Sequence, residues 1–129
     1  MSKQILKPSI KKRGDVYWAR LDDAEGYEQQ NERPVVIISN NKQNEVGKLL
    51  VVVPLSRSIE KIYPFQVATF FNGELGKAKC EQVRAITHER LKNKLGFLSS
   101  NELEQIEEKL VIVLALEDFL KRKIKEGVV

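Results

Sequence analysis

The sequence predicts an α+β domain: a small, strongly bent antiparallel β-barrel with a long helix packed across it at the C-terminal end. Two observations predict this. Short apolar runs rich in Val, Ile and aromatic residues recur through the first two thirds of the chain, bounded by polar breaks with Gly, Asn and Pro. From Ser99 onward the pattern becomes helical, with Leu103, Ile106, Leu110, Val113 and Leu114 spaced to share one face. Strands first and helix last is the order of an α+β domain.

The elements follow in order. Residues 1–12 read as a loosely ordered extension, basic through Lys3, Lys7, Lys11 and Lys12, with Pro8 opposing a helix. One domain is expected over residues 13–126. Val16-Tyr17-Trp18-Ala19-Arg20-Leu21 reads as the first strand and residues 22–32 as a polar loop. Residues 34–39, apolar almost throughout, form a second strand covered on both faces. Residues 40–48 read as a polar turn. Residues 49–55 form a third strand, with Pro54 at its end or at an edge bulge. A fourth strand spans 65–71. Asn72-Gly73 tolerates positive φ at both positions and predicts a hairpin, whose return strand runs to about 83–86. Residues 87–95 have room for a helical turn. Ser99-x-x-Glu102 is a capping box that starts the last helix. Residues 110–116 are so apolar that one small barrel leaves part of that helix uncovered, which points to a dimer contact.

Composition narrows the function classes. At 129 residues, the chain can bury about two thirds of its unfolded surface as a single domain without disulfide or metal. A net charge of +4 and a pI near 9.2 are compatible with an anionic partner. The single cysteine, Cys80, precludes an intrachain disulfide and fits a reducing compartment. It reads as a small core residue. One histidine, His88, excludes multi-histidine metal sites and reads as a surface residue of a helical turn, and no Cys/His spacing predicts zinc. No cofactor is expected. No apolar run is long enough to span a bilayer, so a soluble cytoplasmic protein is expected.

The segment with most chemical content is Gly26-Tyr27-Glu28-Gln29-Gln30-Asn31-Glu32-Arg33-Pro34. It delivers an arginine onto a buried apolar strand. Arginine keeps its charge at any ordinary pH and offers five donors in a rigid fork, so it suits a phosphate. Pro34 biases Arg33 towards extended geometry and fits a strand's first residue. Ser56 and Arg57 stand where the third strand ends. Neighbouring antiparallel strands could bring Arg33 and Ser56 together, which the sequence alone does not show. With no histidine base nearby in sequence, Ser56 is not an activated nucleophile. The pair suits binding a phosphodiester and stabilising the charge that builds on it. RNA carries its own nucleophile, the 2′-hydroxyl, beside each phosphate, so such a site could cleave RNA without a metal and spare DNA.

Further residues are weaker. If 77–84 is one strand, alternation sets Lys79, Glu81 and Val83 on one face, where a lysine and a carboxylate could bind phosphate and move protons. Arg84 follows. Glu28 and the Gln29 and Gln30 amides could read base edges, and Tyr27 is the better stacking residue, with Trp18 and Phe70 expected in the core.

Taken together, the blocks Lys12-Arg13-Gly14-Asp15-Val16-Tyr17-Trp18, Gly26-x-Glu28-Gln29 running to Arg33-Pro34-Val35-Val36-Ile37-Ile38, Val51-Val52-Val53-Pro54-Leu55-Ser56 and Cys80-Glu81-Gln82-Val83-Arg84-Ala85-Ile86 resemble the MazF/PemK family of bacterial toxins. The resemblance covers about residues 12–116 in the right order. It implies an SH3-like antiparallel β-barrel of the CcdB/MazF type, forming a homodimer with RNA across the dimer groove. It implies a sequence-selective, metal-independent endoribonuclease for single-stranded RNA that leaves a 2′,3′-cyclic phosphate and a 5′-hydroxyl. It also implies neutralisation by an antitoxin whose acidic disordered tail folds on binding. By the family pattern Arg33 is catalytic and Ser56, at a place often held by threonine, is its partner. Tyr27, Lys79 and Glu81 depart from a branch that has histidine, arginine and aspartate there, so histidine-based proton transfer is not expected. The expected substrate-binding residues are Tyr27, Glu28, Gln29, Arg57, Lys79, Glu81 and Arg84. The alternatives are a non-catalytic poison of DNA gyrase built on the same barrel, or a degenerate module that only binds RNA or antitoxin.

Overall fold

A computed structural model describes residues 10–21 and 31–127. Strands β1 (Asp15–Arg20), β2 (Glu32–Ile37), β3 (Leu49–Ser56), β4 (Val67–Phe71), β5 (Glu74–Ala78), β6 (Arg84–Thr87) and β7 (Leu91–Phe97) form one curled antiparallel sheet, and helices α1 (Asn41–Val46), α2 (Ser100–Val113) and α3 (Glu117–Lys125) complete the chain. The sheet runs β4-β5-β3-β2-β1-β7, with β6 also on β3.

β3 is the hub. Its first half, Leu49 to Val52, pairs with β6, and its last residues, Leu55 and Ser56, pair with β5. The changeover falls at Pro54, which has no N–H to offer either neighbour. Pro54 is therefore buried inside the strand, where its carbonyl accepts from Lys79 N at 2.9 Å. Apolar side chains pack on both faces of the curl. Val16, Val36, Val53, Leu55 and Val67 meet Leu98 and Ile106 of the helical side. Tyr17, Val35, Ile37, Leu50, Val52 and Ile86 fill the other face. This double coverage explains why β2 and β3 read as unbroken apolar runs.

The Lys12-Arg13-Gly14-Asp15 segment locks the entry to β1. Asp15 accepts from Lys12 N at 3.0 Å and pairs with Lys94 at 3.5 Å. Arg13 donates to the Ile38 carbonyl at 3.0 Å and pairs with Glu107 of α2 at 2.8 Å. Gly14 turns the chain between them with φ +94, a conformation that favours glycine.

Several expectations are corrected. The polar stretch 40–48 contains α1, nucleated by the Asn40 side chain accepting from Gln43 N at 2.8 Å and sealed inward by buried Asn44. The Asn72-Gly73 hairpin forms, with φ of 52 and 79, but its return strand stops at Ala78. The chain then makes a 3₁₀ turn over Cys80–Gln82 before β6 starts. Residues 91–97 are a strand, and His88–Arg90 supply only one 3₁₀ turn before it. The capping box is present, with Ser99 accepting from Glu102 N at 3.1 Å. The single long helix is instead two, broken at Ala115, which adopts φ +57.

Candidate functional site

The β2–β3 register sets the site. Val35 lies opposite Pro54, Val36 opposite Val53 and Ile37 opposite Val52. Continuing that register by two residues sets Arg33 opposite Ser56. Ser56 in turn lies opposite Lys77 of β5. Directly opposed residues of an antiparallel pair share a face, so the extended register sets Arg33 beside Ser56, while Lys77 is buried and does not line the cleft.

Arg33 and Ser56 both stand on the wall of one open cleft of about 650 Å³. Trp18, Glu32, Pro34, Leu55, Arg57 and Thr69 share that wall. Arg33 and Ser56 are each half-buried. The Arg33 guanidinium donates through Nε to Asn31 Oδ1 at 3.0 Å, and among the described residues no carboxylate pairs with it. That leaves its terminal NH₂ groups as donors for an anion. Ser56 Oγ accepts from Ser58 N at 3.1 Å, so its own proton remains available to donate. Arg57 pairs with Glu74 at 3.4 Å across the cleft rim, an exposed contact that contributes little to stability and is readily exchanged.

The remaining sequence-derived residues distribute differently. Tyr27, Glu28 and Gln29, with Gln30, lie outside the described residues. Lys79, Glu81 and Arg84 do not line this cleft. The strand alternation expected for them fails, because Lys79 precedes the 3₁₀ turn that contains Glu81. Glu81 instead accepts from Gln66 Nε2 at 2.7 Å, and Arg84 is exposed on β6 opposite Val52. Phe70, expected in the core, is exposed on β4, because its hairpin turns that face outward.

Sequence reasoning missed Glu32 and expected Trp18 in the core, whereas it is half-buried on the cleft wall. Trp18 lies opposite Pro34 and lines the same cleft, and its Nε1 donates to Glu32 at 2.9 Å. The signal was legible in principle, since Trp18 and Pro34 pair once the β1–β2 register is known.

Other titratable groups are structural. Burial, reinforced by neighbouring Glu81 and opposed by Lys109, pushes the Cys80 thiol up to about 12, so it is protonated and unreactive at neutral pH. Burial, then Asp15, raises the Tyr17 phenol. His88 donates through Nε2 to the Gly47 carbonyl at 3.1 Å and does not reach the cleft. Among the described residues no cluster of three or more His, Cys, Asp or Glu side chains could hold a metal ion, and no helix is long and apolar enough to cross a membrane.

Comparison with known proteins matches this architecture. The family model for the PemK-like, MazF-like toxin of type II toxin–antitoxin systems matches residues 12–114. The chain is 40% identical over 114 residues to the endoribonuclease MazF9 of Mycobacterium tuberculosis, spanning 81% of this chain and 97% of the relative. It is 35% identical over 116 residues to the endoribonuclease MazF of Staphylococcus epidermidis, spanning 84% and 94%. Among solved structures, a mycobacterial endoribonuclease in complex with its cognate antitoxin superposes with a TM-score of 0.69 at 25% identity, covering 81% of this chain and 95% of that one. MazF of Deinococcus radiodurans gives a TM-score of 0.72 at 23% identity, covering 84% and 99%, and bears on the fold alone. With the family match running from Lys12 to Leu114 and both relatives covered almost end to end, the chain belongs to the PemK-like, MazF-like toxins of type II toxin–antitoxin systems.

Proposed function

We propose that this protein is a sequence-selective endoribonuclease toxin that cuts single-stranded RNA and is neutralised by a cognate antitoxin. Its two close relatives bear the name endoribonuclease, and a structural neighbour is held in complex with its antitoxin. The observation that carries the reading is that Arg33 and Ser56 line one cleft, where extending the β2–β3 register two residues beyond Val35 and Pro54 sets them opposite each other. The working unit is a homodimer in the cytoplasm, its toxin domain spanning residues 13–126.

In this reading Arg33 binds the non-bridging oxygens of the scissile phosphate and stabilises the charge that grows on them. Ser56 donates a hydrogen bond to the same phosphate and holds it in line. The substrate's 2′-oxygen attacks the adjacent phosphorus, the bond from phosphorus to the 5′-oxygen breaks, and the products are a 2′,3′-cyclic phosphate and a 5′-hydroxyl. The 2′-hydroxyl loses one proton and the departing 5′-oxygen gains one. With His88 remote, the acceptors on this wall among the described residues are the carboxylates of Glu32 and Glu74. Arg57, freed from Glu74, adds a backbone contact. Lys79, Glu81 and Arg84 would meet RNA on a separate stretch of surface.

The test is incubation of the purified protein with a long single-stranded RNA in EDTA, followed by mapping of the ends. Discrete cuts with cyclic-phosphate ends are expected, and Arg33→Ala slows them by about 10²- to 10³-fold. An RNA bearing 2′-deoxyribose at the cut position stays intact. Uncut wild-type reactions, particularly alongside inhibited DNA gyrase, would overturn the reading.

A further inference from the structure

Two buried polar side chains hold the segment between β3 and β4 from beneath. Lys77 is only 7% exposed, has no carboxylate partner among the described residues, and donates Nζ to the Lys61 carbonyl at 2.7 Å. Gln66, 5% exposed, accepts from Tyr63 N at 3.0 Å and donates to Glu81 at 2.7 Å. Burying an ammonium group without a neutralising carboxylate is unfavourable. An ordinary surface loop needs no such anchor.

What the anchors hold up is an exposed aromatic face. The Tyr63 and Phe65 rings are nearly parallel, 4° apart with centroids 5.6 Å apart, and Lys61 Nζ stands 4.8 Å from the centre of the Tyr63 ring. Tyr63 remains 41% exposed. The segment leaves the cleft wall at Ser56-Arg57-Ser58, and Tyr63 follows Ser58 by five positions, at most about 18 Å of chain. Lys77, which ties the loop back, lies opposite Ser56 itself. The aromatic face is therefore tethered to the residue that meets the scissile phosphate.

We propose that residues 57–66 form a nucleobase platform: Tyr63, backed by Phe65 and pinned by Lys77 and Gln66, stacks on an unpaired base flanking the scissile phosphate, while Lys61 turns to that nucleotide's phosphate. An aromatic face beside a lysine offers an unpaired strand both things it presents, a π surface and a negative backbone. Lys77 and Gln66 are positioning residues, since neither meets the RNA. The inference rests on the endoribonuclease reading and adds to it the element that selects the flanking base.

The test uses the full-length protein and a short RNA containing the mapped cut site, with 2′-deoxyribose at the cleaved position so that it binds without being cut. Tyr63→Leu is expected to weaken binding roughly 5- to 150-fold, the range for losing one stacked base, and to relax the base preference beside the cut. Tyr63→Phe recovers most of the loss because it keeps the ring face. Lys77→Met weakens binding in the wild-type background but adds little to Tyr63→Leu, since both act through one platform, and it raises KM more than it lowers kcat. Tyr63→Leu with wild-type affinity and an unchanged cut map overturns the platform while leaving the nuclease intact. A wild-type protein that neither binds nor cuts RNA overturns the endoribonuclease reading, and the platform with it.

Discussion

At Arg33 the geometry of the charge matters as much as its sign. A guanidinium can engage two phosphate oxygens at once, whereas a lysine is a point charge on a flexible stem. Arg33→Lys is therefore expected to lose most of the cleavage rate, close to Arg33→Ala, when initial rates are compared on one RNA at saturating concentration. Ser56→Ala removes a donor from a cleft that keeps its cation, so a smaller fall is expected. Cys80 gives a prediction of a different kind. Its thiol stays protonated in the fold up to about pH 12, whereas the unfolded chain ionises it near 9. The folded state thus binds more protons across that window, and stability must fall as pH rises through it. The contribution is fully present below pH 9. Thermal melts should show a shallower alkaline decline for Cys80→Ala than for the parent, and alkylation at pH 8 should require unfolding.

At the scale of elements, stability and legibility have the same origin. The Ser99 cap joins α2 to the barrel wall, because Glu102 both completes the capping box and accepts from Phe70 N of β4 at 2.7 Å. Ser99→Ala should cost about 1 kcal/mol, read from denaturant midpoints. Gly76 is less forgiving, since a Cβ there would sit 2.6 Å from the Ser56 carbonyl oxygen. Gly76→Ala is expected to push β5 away from β3, lowering both Tm and cleavage. The cap was legible in sequence because its residues lie three apart. So were β1, β2 and β3, whose β-branched runs state their own burial. β7 was not, because Leu91-Lys92-Asn93-Lys94-Leu95-Gly96-Phe97 exposes most of its side chains and carries glycine at a bulge against β1. The break after Ala78 was hidden by an alternation that continued through Lys79 and Glu81 in sequence but not in space. The cleft pair was legible as two residue types, and their setting on one cleft awaited the β2–β3 register, which the buried packing of Val35, Val36 and Ile37 against Val52 and Val53 fixes.

At the scale of the molecule, the C-terminal segment leaves its apolar face without cover. α3 buries none of its residues, and Phe119 and Ile124 are 46% and 62% exposed, continuing a line from Ile112, Leu114 and Leu116. One small barrel cannot cover that face, and in the proposed homodimer a second copy does. The parent protein should sediment at twice the 14.8 kDa chain mass. Phe119→Glu with Ile124→Glu introduces charges that a buried interface would have to desolvate, so the double variant should sediment as a monomer. Because Arg33 and Ser56 belong to the same chain, dissociation should leave each cleft chemically whole while halving the basic surface offered to RNA. The monomeric variant should therefore show a KM raised several-fold with kcat changed far less. A double variant that still sediments as a dimer would move the interface off α3, and a kcat collapse in the monomer would mean that the partner supplies part of the cleft.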